Sequence, residues 1–120
     1  MAKILVVDDE LTIRSLICMA LDPPHTVIEA SDGQEGLYHF NKHLPDIVIT
    51  DMNMPNMTGI EFVKRLRILS TTVKIIVHSA SVGQQKKCEE ALAAGADICI
   101  PKAVDIVILE KAIADLLPNN

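Results

Sequence analysis

A parallel α/β sheet covered by helices on both faces is the fold this sequence predicts, and three observations predict it. Short apolar runs recur at Lys3–Val7, Thr26–Glu29, Ile47–Ile49, Val73–Val77 and Ile98–Ile100, each short enough to be a buried strand. Between and after them lie segments whose apolar residues repeat at helical spacing. The runs alternate little between apolar and polar, as strands do when both faces are buried. Five such β–α units fill the 120 residues and are read as one domain spanning 1–120, large enough for a single core.

Each element has a local cause. After the first strand, Ile13, Leu16, Ile17, Ala20 and Leu21 form one apolar helical stripe, which Asp22-Pro23-Pro24 stops. Asp32-Gly33-Gln34-Glu35 is a capping box opening a helix that carries Leu37, Phe40 and Leu44, and Pro45 ends it. Thr58-Gly59-Ile60-Glu61 opens the next helix, with Phe62, Val63, Leu66 and Leu69 inward. Ser81 to Gln84 starts the fourth helix, which holds Cys88, Ala91 and Leu92 and stops at Gly95, a C′ glycine. Leu109, Ala112, Ile113 and Leu116 mark the last helix.

Composition removes several function classes. The net charge of −5 and 2% aromatic content argue against a direct nucleic-acid partner, which needs a basic patch or stacking rings. No apolar run approaches the roughly 20 residues of a membrane span, and Met1-Ala2-Lys3 runs into a strand without the features of a signal peptide, so a cytoplasmic location is expected. Cys18, Cys88 and Cys99 are odd in number and widely spaced, with neither a disulfide framework nor zinc spacing.

The chemistry lies where strands end. The first strand runs into Asp8-Asp9 and the third into Asp51, followed by the Pro55 turn, and the C-terminal rim of a parallel sheet is where such folds bind ligands. Two carboxylates about 4 Å apart repel by roughly 4 kcal/mol at an effective dielectric of 20. An all-oxygen cluster of this kind suits Mg²⁺, whose remaining positions favour phosphate. Ser79 follows the fourth strand and Lys102 the fifth. A hydroxyl and an ammonium thus reach the rim where a phosphoryl group moving to Asp51, as nucleophile, would need its charge matched.

The residues that carry this chemistry also carry a resemblance. Val7-Asp8-Asp9-Glu10, Asp51-Met52-Asn53-Met54-Pro55 with Gly59, Ser79-Ala80, Ala94-Gly95-Ala96-Asp97 and Lys102 stand in order, and in this the chain resembles the receiver domain of two-component response regulators over essentially its full length. The resemblance implies a flavodoxin-like, doubly wound sheet of strand order 2-1-3-4-5. It makes Asp51 the phosphoacceptor and Asp8 and Asp9 the Mg²⁺ acids, with the Asn53 main-chain carbonyl a further ligand. Lys102 pairs with Asp51 or its phosphate, and Ser79 moves to hydrogen-bond the phosphate. The implied donor is a sensor histidine kinase or phosphotransfer protein, and the implied output is altered binding to a downstream protein. The chain would catalyse only its own phosphorylation and dephosphorylation.

Around the last strand the pattern departs from the family's. Cys99 stands where an aromatic ring is usual and reads as a core residue. Ala103 follows Lys102 where proline is usual, so that bond is expected trans. His39 and His43 lie i, i+4 on a helix but lack a third ligand, and His78 reads as a packing histidine pointing away from Ser79. The apolar start of the last helix, Val104 to Leu109, suits either tight packing or a partner or homodimer surface on the fourth- and fifth-helix face. Three rival readings stand beside the switch. One is an aspartyl-phosphate phosphatase, disfavoured because the first strand ends Asp8-Asp9-Glu10 rather than Asp-x-Asp. The others are a receiver-shaped binding module that is not phosphorylated, and the receiver of a longer regulator.

Overall fold

Ten elements alternate in the computed structural model, which describes residues 1–79, 85–101 and 105–117. They are β1 (Lys3–Val7), α1 (Leu11–Leu21), β2 (Thr26–Ala30), α2 (Gly33–His43), β3 (Ile47–Asp51), α3 (Gly59–Leu69), β4 (Lys74–Ser79), α4 (Gln85–Ala94), β5 (Ile98–Pro101) and α5 (Ile106–Leu116). The strands form one parallel sheet of order β2-β1-β3-β4-β5, the flavodoxin-like arrangement. The expected strands are present, with β2, β3, β4 and β5 each running farther toward its C-terminal end than the apolar run alone. No helix among the described residues is long and apolar enough to cross a membrane.

Two cores sandwich the sheet. On one face Phe40 of α2, Phe62, Val63 and Leu66 of α3 and Ala91 of α4 close over Leu5, Val7, Val48, Ile75 and Val77. On the other, Ile17, Cys18 and Leu21 of α1 and Leu109, Ala112 and Ile113 of α5 close over Ile4, Val6, Ile47, Ile49 and Ile76. Successive strand residues supply the two faces alternately, so the central strands are apolar along most of their length, which is why little alternation appears in the sequence. After β1 the chain turns to the α1 face and after β3 to the α3 face. These neighbouring strands send their connections apart, opening a crevice at their C-terminal ends.

The N-caps at α2 and α3 form, but in neither does the glutamate return to the N-cap N–H as a capping box requires. Asp32 Oδ1 accepts from Glu35 N–H at 2.8 Å and Thr58 Oγ1 from Glu61 N–H at 3.2 Å. Glu35 returns to the N–H and hydroxyl of Ser31, and Glu61 pairs instead with Arg65. Gly95, at φ 127, ends α4 as a left-handed glycine. Residues 81–84, expected to start that helix, lie outside the described residues, as does the bond after Lys102.

Several inward assignments need correction. Leu16, Leu44, Leu69 and Leu92 are exposed, and Cys18 takes the place of Leu16 in the core. In α1 the inward face runs Arg14, Ile17, Cys18 and Leu21, because Arg14 lies across the sheet edge with Nη1 on the Asp8 carbonyl and Nε on Glu29. An arginine thus occupies a position that periodicity assigns to an apolar residue. Leu44 is the C-cap of α2 at φ 48, which turns it outward.

The cysteine reading is also corrected. Cys88 of α4 and Cys99 of β5 are joined in a disulfide, with Cα atoms 5.8 Å apart. The α4–β5 connection folds back on itself and superposes two residues eleven apart. Cysteine counting does not register such a link, because only the tertiary fold makes the two residues neighbours. Cys99 still packs against the α2–α4 core but is only half-buried.

Candidate functional site

Asp8, Asp9 and Asp51 meet in the crevice between β1 and β3. One carboxylate oxygen from each lies within 4.8 Å of those of the other two, the sole group of three or more metal-ligating side chains among the described residues. Asp8 and Asp51 are buried, at 0% and 2% exposure, whereas Asp9 is exposed. The backbone builds this cluster. Val7 and Thr50 are register partners, so the residues that follow them, Asp8 and Asp51, leave the sheet side by side.

Asp8 is fixed at three points. Its N–H donates to the Ala30 carbonyl at 3.1 Å, its carbonyl accepts from Arg14 at 2.7 Å, and its Oδ1 accepts from Glu10 N–H at 2.8 Å. On the other oxygen, Oδ2, His78 Nε2 lies 3.4 Å away, with both side chains buried. His78 is the register partner of Asp51. It therefore belongs to the site rather than to the packing alone, which its lone place in an apolar strand did not reveal. Among sequence signals, only its register with Asp51 could have found it, and that needs the strand order.

The loop after β3 is held over the pocket. Met52 N–H donates to the His78 carbonyl at 3.2 Å, and Asn53 N–H points to Asp51 Oδ1 at 3.4 Å. Asn56 adopts φ 71, a left-handed conformation that asparagine tolerates, inside a turn closed by Met57 N–H on the Pro55 carbonyl. Gly59 then donates to the Met52 carbonyl at 2.9 Å. A Cβ at Gly59 would lie 2.7 Å from the Met52 Cα and overlap the Asp51 carbonyl. Glycine is required here because α3 starts directly against the backbone that carries Asp51.

Ser79 ends β4 in register with Pro101 of β5, so the two strands finish together at the rim. Lys102, the next residue, lies outside the described residues. Below this edge Arg67 ties the far ends of the strands. Its guanidinium donates to the carbonyls of Gly95 (2.8 Å) and Val73 (2.6 Å) and to Asp97 Oδ2 (3.0 Å), and that oxygen also accepts from Ile75 N–H at 2.8 Å. The Ala94-Gly95-Ala96-Asp97 segment therefore serves packing, through an arginine that the sequence reading did not single out.

The donor set is all oxygen: two buried carboxylates, one exposed carboxylate and the main chain of the 52–58 loop. This fits a hard divalent cation such as Mg²⁺, which takes few protein ligands and keeps open positions.

Comparison with known proteins settles the family. A profile of the response regulator receiver domain matches residues 4–114. The chain belongs to the response regulator receiver family. Receiver domains are the phosphoacceptor modules of two-component response regulators, and phosphorylation-dependent switching is the general function of the family. Among solved structures, a receiver domain protein from Clostridium thermocellum superposes with a TM-score of 0.92 at 31% identity, over 98% of this chain and 95% of that one. The chemotaxis protein CheY4 of Vibrio cholerae superposes at 0.89 with 36% identity, over 98% and 99%. The virulence transcriptional regulatory protein PhoP of Salmonella typhimurium is 36% identical across 100% of this chain, which covers 54% of that protein. This receiver thus spans about half the length of the curated relatives it matches.

Proposed function

We propose that this receiver is a phosphorylation-dependent switch in which Asp51 accepts a phosphoryl group from the phosphohistidine of a sensor histidine kinase or phosphotransfer protein. The observation that carries the reading is the convergence of Asp8, Asp9 and Asp51 at the β1–β3 crevice, with their oxygens within 4.8 Å, in a chain of this family. Asp8, Asp9, Asp51 and the Asn53 main-chain carbonyl would hold Mg²⁺. When bound, the ion neutralises phosphoryl oxygens and the acidic cluster itself.

The remaining work falls to the chain's own groups. Asp51, on a strand end whose backbone is pinned by Gly59 and Met52, presents its carboxylate oxygen as nucleophile. The P–N bond to the donor imidazole breaks as the O–P bond to Asp51 forms. Asp8, held at both carbonyl and carboxylate, keeps its oxygens oriented without reorganisation. Ser79 and Lys102, from the ends of β4 and β5, supply a hydroxyl and an ammonium to the phosphate. Water later attacks the acyl phosphate and returns Asp51 to its free state, so the chain acts only on itself.

Partners would use exposed apolar residues on α1 and α5. Leu11, Leu16 and Met19 are exposed on α1, which begins two residues after Asp9, a suitable place for the phosphoryl donor. Val107 and Ile108 are exposed on α5 and suit a downstream protein or a second copy through the α4–α5 face. The reading places the switch in the cytoplasm, with residues 1–120 as one receiver domain. A second reading, the receiver of a longer regulator, is favoured by the half-length coverage of the relatives.

Intact mass after incubation with acetyl phosphate and Mg²⁺ tests the chemistry. One phosphoryl adduct is expected, absent from Asp51→Asn and absent when the metal is chelated. No adduct from acetyl phosphate or from phosphorylated kinase, in folded protein, would instead make this a receiver-shaped binding module.

A further inference from the structure

The disulfide between Cys88 and Cys99 stands on the strand that leads into Lys102, one of the proposed phosphate-site residues. It joins α4 to β5. Cys99 is the register partner of Val77, two residues before Ser79, and stands three residues before Lys102. The bond therefore ties the strand that leads to Lys102, beside the strand that ends in Ser79, directly to α4.

Two features make the bond suited to reversal. Both cysteines are half-buried, so small thiols reach them. The surrounding backbone is also held without them: Ala96 N–H donates to the Ala91 carbonyl at 3.0 Å, Asp97 N–H to the Ile75 carbonyl at 2.8 Å, and Arg67 clasps Gly95 and Asp97. Reduction therefore leaves a packed α4–β5 unit, not an unfolded one. Cys18, the remaining cysteine, is buried on the opposite face of the sheet and does not compete for either partner.

We propose that Cys88 and Cys99 form a reversible thiol–disulfide site, oxidised by a low-molecular-weight disulfide of the glutathione type, and that the oxidised form clamps α4 to β5 and uncouples the α4–α5 face from phosphorylation. The second half rests on the switch reading above. The thiolate of one cysteine attacks the small disulfide, forming a mixed disulfide and expelling one thiol. The thiolate of the other cysteine attacks the mixed disulfide and expels the second thiol. The protein loses two protons and two electrons, and the small disulfide takes up both to become two thiols. In a reducing compartment such a bond is transient, as a sensor requires.

The test uses the full chain. Reduced protein is equilibrated with glutathione at graded ratios of disulfide to thiol, then alkylated and weighed. The expected product has lost two hydrogens and leaves Cys88 and Cys99 unlabelled, whereas Cys88→Ser and Cys99→Ser give only mixed disulfides. Amide exchange in α4 is expected to slow by about tenfold or more on oxidation, from loss of local opening. A wild type that yields only mixed disulfides, or α4 exchange equal in both forms, overturns the site. Beryllium fluoride with Mg²⁺, as a phosphoryl mimic, is then expected to shift the amide resonances of α4 and α5 in reduced but not oxidised protein. Equal shifts in both forms overturn the uncoupling. No shift in either form overturns the switch reading and the uncoupling that rests on it, while the thiol site is judged by mass and exchange.

Discussion

Replacing Asp9 with asparagine should make the metal-free protein more stable and its response to Mg²⁺ weaker. Asp9 contributes an oxygen within 4.8 Å of those of Asp8 and Asp51. At that separation one like-charge pair costs about 0.9 kcal/mol in a water-like dielectric and about 3.5 kcal/mol at an effective dielectric of 20. Asp9 is exposed, so the lower figure applies, and its two neighbours together give about 1.7 kcal/mol of repulsion. Removing the charge also forfeits a favourable interaction with the N-terminus of α1, worth about 0.3–1 kcal/mol. The net expectation for Asp9→Asn in chelator is a gain of about 1 kcal/mol, read as a rise in urea midpoint at unchanged slope. Added salt should shrink the gain. Mg²⁺ at a hundredfold excess over its dissociation constant should stabilise the parent by about 2.7 kcal/mol, and the variant by much less at the same concentration. An Asp9→Asn protein that is no more stable than the parent in chelator, yet gains as much from Mg²⁺, would refute the mutual repulsion and the metal assignment together.

Three further perturbations follow from the geometry. Gly59→Ala forces a Cβ to 2.7 Å from the Met52 Cα, and because the obstacle is backbone the cost should reach about 2–3 kcal/mol in urea unfolding, with weaker Mg²⁺ binding as the Asp51 segment shifts. Arg67→Ala removes the donors to Gly95, Val73 and Asp97 and should cost about 2–4 kcal/mol by thermal or urea unfolding, with Arg67→Lys recovering less than half because an ammonium cannot span the fork. The Cys18 thiol is pushed up from 9.0 to about 11, chiefly by burial and then by Glu29. It should resist iodoacetamide at pH 8 in the folded protein and react once unfolded. Because the folded thiol holds its proton more tightly than the unfolded one, its contribution to stability is intact below pH 9 and lost as pH climbs through about 11. Cys18→Ala should flatten that alkaline decline in a pH series of urea midpoints.

The acidic residues of the site were legible because of where they stand. Asp8, Asp9 and Asp51 stand just past apolar runs too short for a helix and set beside helical segments, and carboxylates at the ends of such strands fall on the sheet's rim. The helix caps at Asp32 and Thr58 were equally local, since a cap joins residues three apart. What periodicity could not show is which residue wins when two fit the same stripe. Leu16 is apolar and well spaced, yet Arg14 holds the inward line of α1 through its bonds to Asp8 and Glu29, and this rotates Leu16 into solvent.

Local spacing thus determined the fold class, the number of strands and the acids at the strand ends, since the hydrophobic period of a strand or helix is a property of a few neighbouring residues. Register and connection path were decided only by the assembled sheet. They placed His78 against Asp8, made Gly59 indispensable beneath Asp51, drew Arg67 to Gly95 and Asp97, and laid Cys88 over Cys99. Each of these pairs joins residues from different elements, whose separation along the chain says nothing of their distance until the strands have chosen their neighbours.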